Sequence, residues 1–206
     1  MEVAPITFEQ ALSPENMKES PMSQFLDWYE FQSRTNPFDP SPMILSTCGN
    51  NMKVDSRVVY LKRVDCESFV FFGNHKTAKG AEMEENNNVA LLFYWPHVTR
   101  QVRIQGVVEY TTKEEVEEWF ATRSRASQIA AWVAHVPVDK RDLIETKRKK
   151  EEEFRTAVEV PAPGTWEGYR VIPHTVEFWQ GGSDHLHDRI TYCRNGRSWT
   201  KQRAAP

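Results

Sequence analysis

Near its start the chain places apolar residues on a helical period. Met22, Phe25, Leu26 and Tyr29 stand at i, i+3, i+4 and i+7 with Trp28 beside them, which predicts an amphipathic helix over 22–34. The proline-rich stretch NPFDPSP at 36–42 stops it. Further on, the apolar runs shorten and the period drops towards two. Segments 43–48, 57–64, 68–72, 89–95, 100–110, 169–179 and 189–193 read as strands, with 198–202 as a last short one. The clearest is RQVRIQGVVEY at 100–110. It sets Val102, Ile104, Gly106, Val108 and Tyr110 on one face and Gln101, Arg103 and Gln105 on the other, as a half-buried strand requires.

Helical segments interrupt these strands at 77–86, 113–123, 127–135 and 139–155. The second follows Thr111 and Thr112 and carries Glu114 and Glu115 in its first turn, where acidic side chains suit the helix dipole. Many short strands at close spacing predict a mainly β fold with added α-helices, a barrel rather than a doubly wound sheet. Residues 1–20 are polar and aperiodic and read as a flexible arm. Residues 21–206 read as a single domain, a length that supports one core.

Charge narrows the partners. A formal net charge of -3 and a pI near 6.1 give no bulk attraction to nucleic acid or to an anionic membrane. The basic run KRKK at 147–150 is followed at once by Glu151, Glu152 and Glu153, which predicts a solvated helix face carrying i,i+4 pairs. The strongest apolar run, 89–95, is too short for a bilayer, and the N-terminus lacks a secretory pattern, so a soluble, cytoplasmic protein is expected. Cys48, Cys66 and Cys193 are odd in number and form no CxxC, which argues against a disulfide framework or a zinc site. His185 and His187 lie two apart without further ligands nearby, and no metal site is expected. Nucleotide-loop, zinc-protease and nucleophile-elbow motifs are absent.

What remains is a scatter of basic and hydrogen-bonding side chains at element ends. Arg57 and Lys62 flank the strand VVYL, Lys79 opens a short helix, and Gln101 opens a strand. Arg123 and Ser127 stand in a turn between helices, and Arg189 follows a loop. Singly each is an ordinary surface residue. Together they supply guanidinium forks, ammonium groups and a hydroxyl suited to phosphate oxygens.

The blocks RVVYLK (57–62), NNNVALLFYW (86–95), RQVRIQGVVE (100–109), RSRASQIAAW (123–132), WEGYRVIPHTVEFWQGG (166–182) and LHDR (186–189) resemble the pyridoxamine/pyridoxine 5'-phosphate oxidase family in order and spacing. The closing pattern W-x-x-x-R-x-x-P at 199–206 fits as well. The resemblance implies an FMN-binding split β-barrel working as a homodimer, with FMN in clefts at the subunit interface. It implies oxidation of the 4'-carbon of pyridoxamine or pyridoxine 5'-phosphate, hydride transfer to FMN, and reoxidation by dioxygen with release of hydrogen peroxide. It assigns FMN contacts to Arg57, Val58, Val59, Tyr60, Leu61, Lys62, Phe72, Gly73, Lys79, Gln101, Trp179 and Arg189. Substrate contacts fall to Lys62, Trp119, Arg123, Ser127, His185 and His187, the two histidines being the catalytic candidates.

Several positions depart from the family pattern. Ser-Arg-Lys becomes Thr77-Ala78-Lys79, a phosphate-contacting tyrosine becomes Trp119, and a Gln-Ser pair becomes Val136-Pro137. Arg-Leu-His becomes His185-Leu186-His187. Indole offers no hydroxyl, and histidine is shorter than arginine. Two alternatives therefore stay open: a related FMN oxidoreductase acting on another reduced ring, and a non-catalytic relative that binds FMN or pyridoxal 5'-phosphate.

Overall fold

A computed structural model of the chain describes residues 11–134, 139–182 and 186–205. Its frame is a nine-stranded antiparallel sheet. The strands are β1 (Pro42–Cys48), β2 (Val54–Tyr60), β3 (Arg63–Val64), β4 (Phe69–Asn74), β5 (Asn88–Trp95), β6 (Arg100–Tyr110), β7 (Trp166–Gln180), β8 (Asp188–Asn195) and β9 (Ser198–Arg203). They follow the order β2-β1-β5-β6-β7-β4-β3, with β8 pairing β7 and β9 pairing β8.

The two ends of that order are consecutive in the chain, and this curls the sheet. Leu61 N–H donates to Ser41 O at 2.9 Å, on the β1 side, and Lys62 N–H donates to Val70 O at 2.9 Å, on the β4 side. The single strand expected over 57–64 is thus two, because the chain changes ladders at Leu61–Lys62. β7 is the spine. β6 pairs with β7 from Tyr169 to Gln180, while on the other edge β7 pairs β4 over its first part and β8 over its last. The strand pattern expected for 100–110 holds for β6 from Val102 to Val108, whereas Tyr110 is 53% exposed. The register shifts at Gln105/Gly106, where a β-carbon on Gly106 would lie 2.3 Å from Ile172 O, so only glycine fits.

Helix α1 (Pro21–Thr35) starts at Ser20, whose hydroxyl accepts from Met22 N–H, with Pro21 in the first turn. Its inward stripe is Met22, Phe25, Trp28 and Gln32. Leu26, expected inside, is 45% exposed because this stripe is rotated towards Trp28. Phe25 is fully buried and meets Phe69 and Phe93 at centroid distances of 5.0 and 4.8 Å. Burying such a ring contributes about 1.5–3 kcal/mol.

Residues 11–20 do not form the flexible arm expected of them. Leu12 and Met17 are buried in the main core. Asp188 accepts from Leu12 N–H at 2.8 Å, Tyr192 Oη donates to Lys18 O at 2.7 Å, and Lys201 pairs with Glu19 at 2.7 Å. Two apolar side chains in an otherwise polar stretch are enough to dock it on β8 and β9.

Helices α2 (Ala78–Glu85), α3 (Lys113–Ala121), α4 (Arg125–Val133) and α5 (Lys140–Glu153) complete the elements. A reciprocal cap between Thr112 and Glu115 starts α3. Phe120, Ile129, Phe154 and Val160 form a second apolar cluster. α5 buries no residue, and its basic run pairs internally, Lys147 with Glu151 at 3.4 Å and Lys150 with Glu153 at 2.7 Å. All three cysteines are free thiols.

Candidate functional site

A cleft of about 550 Å³ opens where β2, β4, α3, α4 and the turn before α2 meet. Among its lining residues are Val58, Val59, Tyr60, Lys62, Phe72, Gly73, Lys79, Trp119, Arg123 and Ser127, all expected at a binding site from the sequence. Asn74, Thr77, Ser124, Ala134 and Trp166 line it too. Lys62, Lys79 and Arg123 bring positive charge, and no carboxylate lines the cleft among the described residues. In a chain with net charge -3 the cleft is a local concentration of positive charge.

Each cation is held by a specific device. Lys79 sits in the first turn of α2 and donates to Thr77 Oγ1 at 2.7 Å. Its aliphatic stem passes over Gly73, where a β-carbon would lie 3.2 Å from Lys79 Cε. Burial, and secondarily the nearby Arg57 charge, pushes the Lys79 ammonium below its ordinary value. Arg123 follows α3 and lies against three rings, 4.6 Å from the Trp166 centroid and 5.3 Å from those of Trp119 and Phe120. Burial lowers its pKa as well, and its Nη1 is buried with no hydrogen-bond partner among the described residues. Both shifts have the sign expected of cations that lack a counter-ion.

The cleft walls are flat. Phe72 and Trp119 stack at 4.3 Å and 2°, and Trp119 lies parallel to Trp166 at 6.3 Å and 4°. α4 points its N-terminus at the same space. Its cap, Ser124, accepts from Ser127 N–H, and the two hydroxyls lie 2.9 Å apart. Lys62 is exposed, with its ammonium 5.1 Å from the Tyr60 centroid.

Other expected site residues lie elsewhere. Leu61 is buried in the core, 6% exposed, and does not line the cleft. Arg57 is already engaged, with Asp55 at 2.7 Å, Glu82 at 3.1 Å and the Thr47 hydroxyl. Gln101, Trp179 and Arg189 are register neighbours across β6, β7 and β8. Arg189 pairs with Glu177 at 2.8 Å, and the His187 ring lies 4.8 Å from that of Trp179. His187 Nδ1 accepts from Gly182 N–H at 3.3 Å. This second group stands at the far end of β7. Trp166 lines the cleft and Trp179 lies thirteen residues on, about 40 Å of extended strand. His185, Val136 and Pro137 fall outside the described residues.

Asn74, Thr77, Ser124, Ala134 and Trp166 line the cleft without having been assigned to a site from the sequence. Asn74 ends the apolar run of β4 outside any recognised block, whereas Trp166 opens β7 as the first residue of the block at 166–182.

A curled antiparallel sheet with a cationic cleft at its side defines a split-barrel protein. The same fold is seen in PhzG from Burkholderia lata 383, with a TM-score of 0.89, 24% identity and full coverage of both chains. A pyridoxamine 5'-phosphate oxidase-related, FMN-binding protein from Nostoc punctiforme matches with a TM-score of 0.73 and 14% identity, over 92% of this chain and 100% of that one. Residues 31–159 match the family described as pyridoxamine 5'-phosphate oxidase. Residues 166–206 match the pyridoxine 5'-phosphate oxidase C-terminal dimerisation region. Pyridoxine/pyridoxamine 5'-phosphate oxidase 2 of Hydrogenovibrio crunogenus is 38% identical over 96% of this chain and 94% of its own length. The Rubrobacter xylanophilus oxidase is 39% identical over 95% and 91%. The chain belongs to the pyridoxamine 5'-phosphate oxidase family.

Proposed function

We propose that this protein is an FMN-dependent oxidase that converts pyridoxamine or pyridoxine 5'-phosphate to pyridoxal 5'-phosphate as a cytoplasmic homodimer. The observation that carries the reading is the cleft itself, where, among the described residues, Lys62, Lys79 and Arg123 meet no carboxylate in the lining and Arg123 Nη1 is buried without a partner. Such a donor set suits a molecule with a phosphate tail. The flat Phe72 and Trp119 faces suit an aromatic ring. FMN, when bound, supplies the two-electron acceptor and passes the electrons to dioxygen with formation of hydrogen peroxide.

The residues of this chain bind and orient. Lys79, with Gly73 leaving room for its stem, serves the FMN phosphate. Lys62, Arg123 and Ser127 serve the substrate phosphate, and the α4 N-terminus adds favourable dipole potential. Gln101, Trp179, His187 and Arg189 lie too far along β7 to join the same ligand within one chain, so a second copy contributes them. The match of 166–206 to a dimerisation region supports that arrangement. The outer apolar side chains Ile44, Val58 and Tyr60 are 38%, 60% and 50% exposed, the character of a face awaiting cover. Gly182 N–H donates to His187 Nδ1, which helps to orient the imidazole beside Trp179.

One observation favours a second reading. Trp119 stacks between Phe72 and Trp166, where the family pattern has a tyrosine hydroxyl, and a wider aromatic wall suits a larger reduced ring. Peroxide release with pyridoxamine 5'-phosphate supports the first reading, and release only with a larger reduced ring compound supports the second. Stoichiometric peroxide with pyridoxamine 5'-phosphate is expected. FMN-loaded protein that releases none, yet binds pyridoxal 5'-phosphate tightly, would make the chain a binding relative.

A further inference from the structure

Eight buried side-chain polar atoms lack a hydrogen-bond partner among the described residues, and four of them gather at one place. Asn74 Nδ2, Trp166 Nε1, Thr165 Oγ1 and Arg123 Nη1 all belong to the end of β4, the start of β7 and the turn after α3. Elsewhere a buried donor without a partner costs about 1–3 kcal/mol, so a cluster of them calls for an explanation.

Asn74 and Trp166 are direct partners in the β4–β7 ladder. Opposed residues in an antiparallel pair project to the same side with β-carbons about 5 Å apart. Both line the cleft. Asn74 is 5% exposed, and its orientation is fixed because its Oδ1 accepts from Lys76 N–H at 2.8 Å. The amide nitrogen is therefore the end left over. The Trp166 ring lies parallel to that of Trp119 at 6.3 Å, and the Arg123 guanidinium contacts both, 4.6 Å from the Trp166 centroid and 5.3 Å from the Trp119 one, so its N–H is fixed as well. Arg123 adds a cationic donor against the same ring. Three donors without a partner among the described residues thus belong to side chains lining one cleft, with the Thr165 hydroxyl next in the chain to Trp166.

We infer that Asn74 Nδ2, Trp166 Nε1 and Arg123 Nη1 form an oxyanion seat in which Trp166 supplies the neutral hydrogen bond that Trp119 cannot. The inference rests on the reading of the cleft as a site for phosphate monoesters. The shared chemistry is a phosphate monoester oxygen, and its source is either the flavin mononucleotide tail or the pyridine 5'-phosphate. The seat makes Asn74 and Trp166 specificity residues for the phosphorylated ligand over its dephosphorylated counterpart.

The test uses the full-length dimer and two readouts. In the wild type, the indole N–H resonance of Trp166, identified by its loss in Trp166→Phe, is followed while inorganic phosphate is added to the apoprotein. A saturable downfield shift is expected. In parallel, dissociation constants are measured for FMN and riboflavin, and for pyridoxal 5'-phosphate and pyridoxal, in wild type, Trp166→Phe and Asn74→Ser. Phenylalanine keeps a ring under Arg123 while removing the N–H. Selectivity for the phosphorylated member of one pair should fall about five- to tenfold, as for loss of one neutral hydrogen bond, with the other pair unchanged. The affected pair names the source of the oxyanion. An unmoved indole resonance together with unchanged selectivity in both pairs overturns the seat even if both phosphorylated ligands bind well. A shifting resonance in a protein that binds neither ligand would keep the seat and overturn the oxidase reading instead.

Discussion

Gly80 links the fold to the cleft, and its replacement by alanine separates packing from propensity by sign. On propensity alone, Gly→Ala inside a helix stabilises by about 1 kcal/mol. For a chain of this length that raises Tm by roughly 2–4 °C. The structure argues the opposite. A β-carbon at Gly80 would stand 2.1 Å from His75 O and 2.5 Å from His75 C, more than an ångström inside normal contact, and both are main-chain atoms that cannot swing aside. Overpacking of this kind costs about 1–3 kcal/mol, here at the upper end because backbone must move. The net expectation is a loss of about 1–2 kcal/mol and a Tm drop of roughly 2–8 °C. The displaced element is the start of α2, which carries Lys79 and its 2.7 Å contact to Thr77. Loss of one charge-assisted contact weakens FMN binding by about tenfold to a hundredfold. Thermal melting of the apoprotein and flavin-fluorescence titration measure the two effects. A Tm that rises with unchanged FMN affinity would refute the reasoning.

Other perturbations follow from the same geometry. Glu115 is held below the usual carboxylate range, first by the hydrogen bond from Arg63, then by the Thr112 backbone N–H, with the Arg170 charge adding to both. A depressed carboxylate stabilises the fold above its unfolded value and loses that contribution as pH falls through the folded one. Stability should therefore drop in acid below about pH 4.5, and Glu115→Gln should flatten that limb in melts taken from pH 3 to 7. Trp119→Tyr restores a hydroxyl at the cleft and should tighten pyridoxamine 5'-phosphate about three- to tenfold, and weaker binding would mean that the Phe72 stack matters more. Asp188→Ala removes the acceptor for Leu12 N–H and Arg203, so limited proteolysis should cut within residues 11–20 faster, with little change in global Tm.

Most of the strand plan is legible in the sequence because the pattern that specifies it is local. β6 matches its expected span end to end, since alternation and burial coincide there. The reading fails where distant partners decide. No local signal says that Leu61 N–H answers β1 while Lys62 N–H answers β4, so one strand was expected in place of two. The docking of residues 11–20 depends on Asp188 and Arg203 at the other end of the chain, which periodicity cannot report. For the cleft, the charged residues stood out, whereas Asn74 and Trp166 emerge only from their cross-strand pairing and from unmet hydrogen bonds. Arg57, singled out by its neighbours, pairs with Asp55 and Glu82 while its charge still reaches Lys79.

The central claim is that one binding site needs Lys79 from one copy and Arg189 from the other. Lys79→Met and Arg189→Met chains carrying different affinity tags can be co-expressed and the mixed dimer isolated by both tags. Each parent dimer should bind FMN poorly. The mixed dimer concentrates both lesions in one of its two sites and leaves the other intact, so about half the wild-type flavin content is expected. A mixed dimer as empty as its parents would contradict the account, because the two residues would then serve the same site from the same chain.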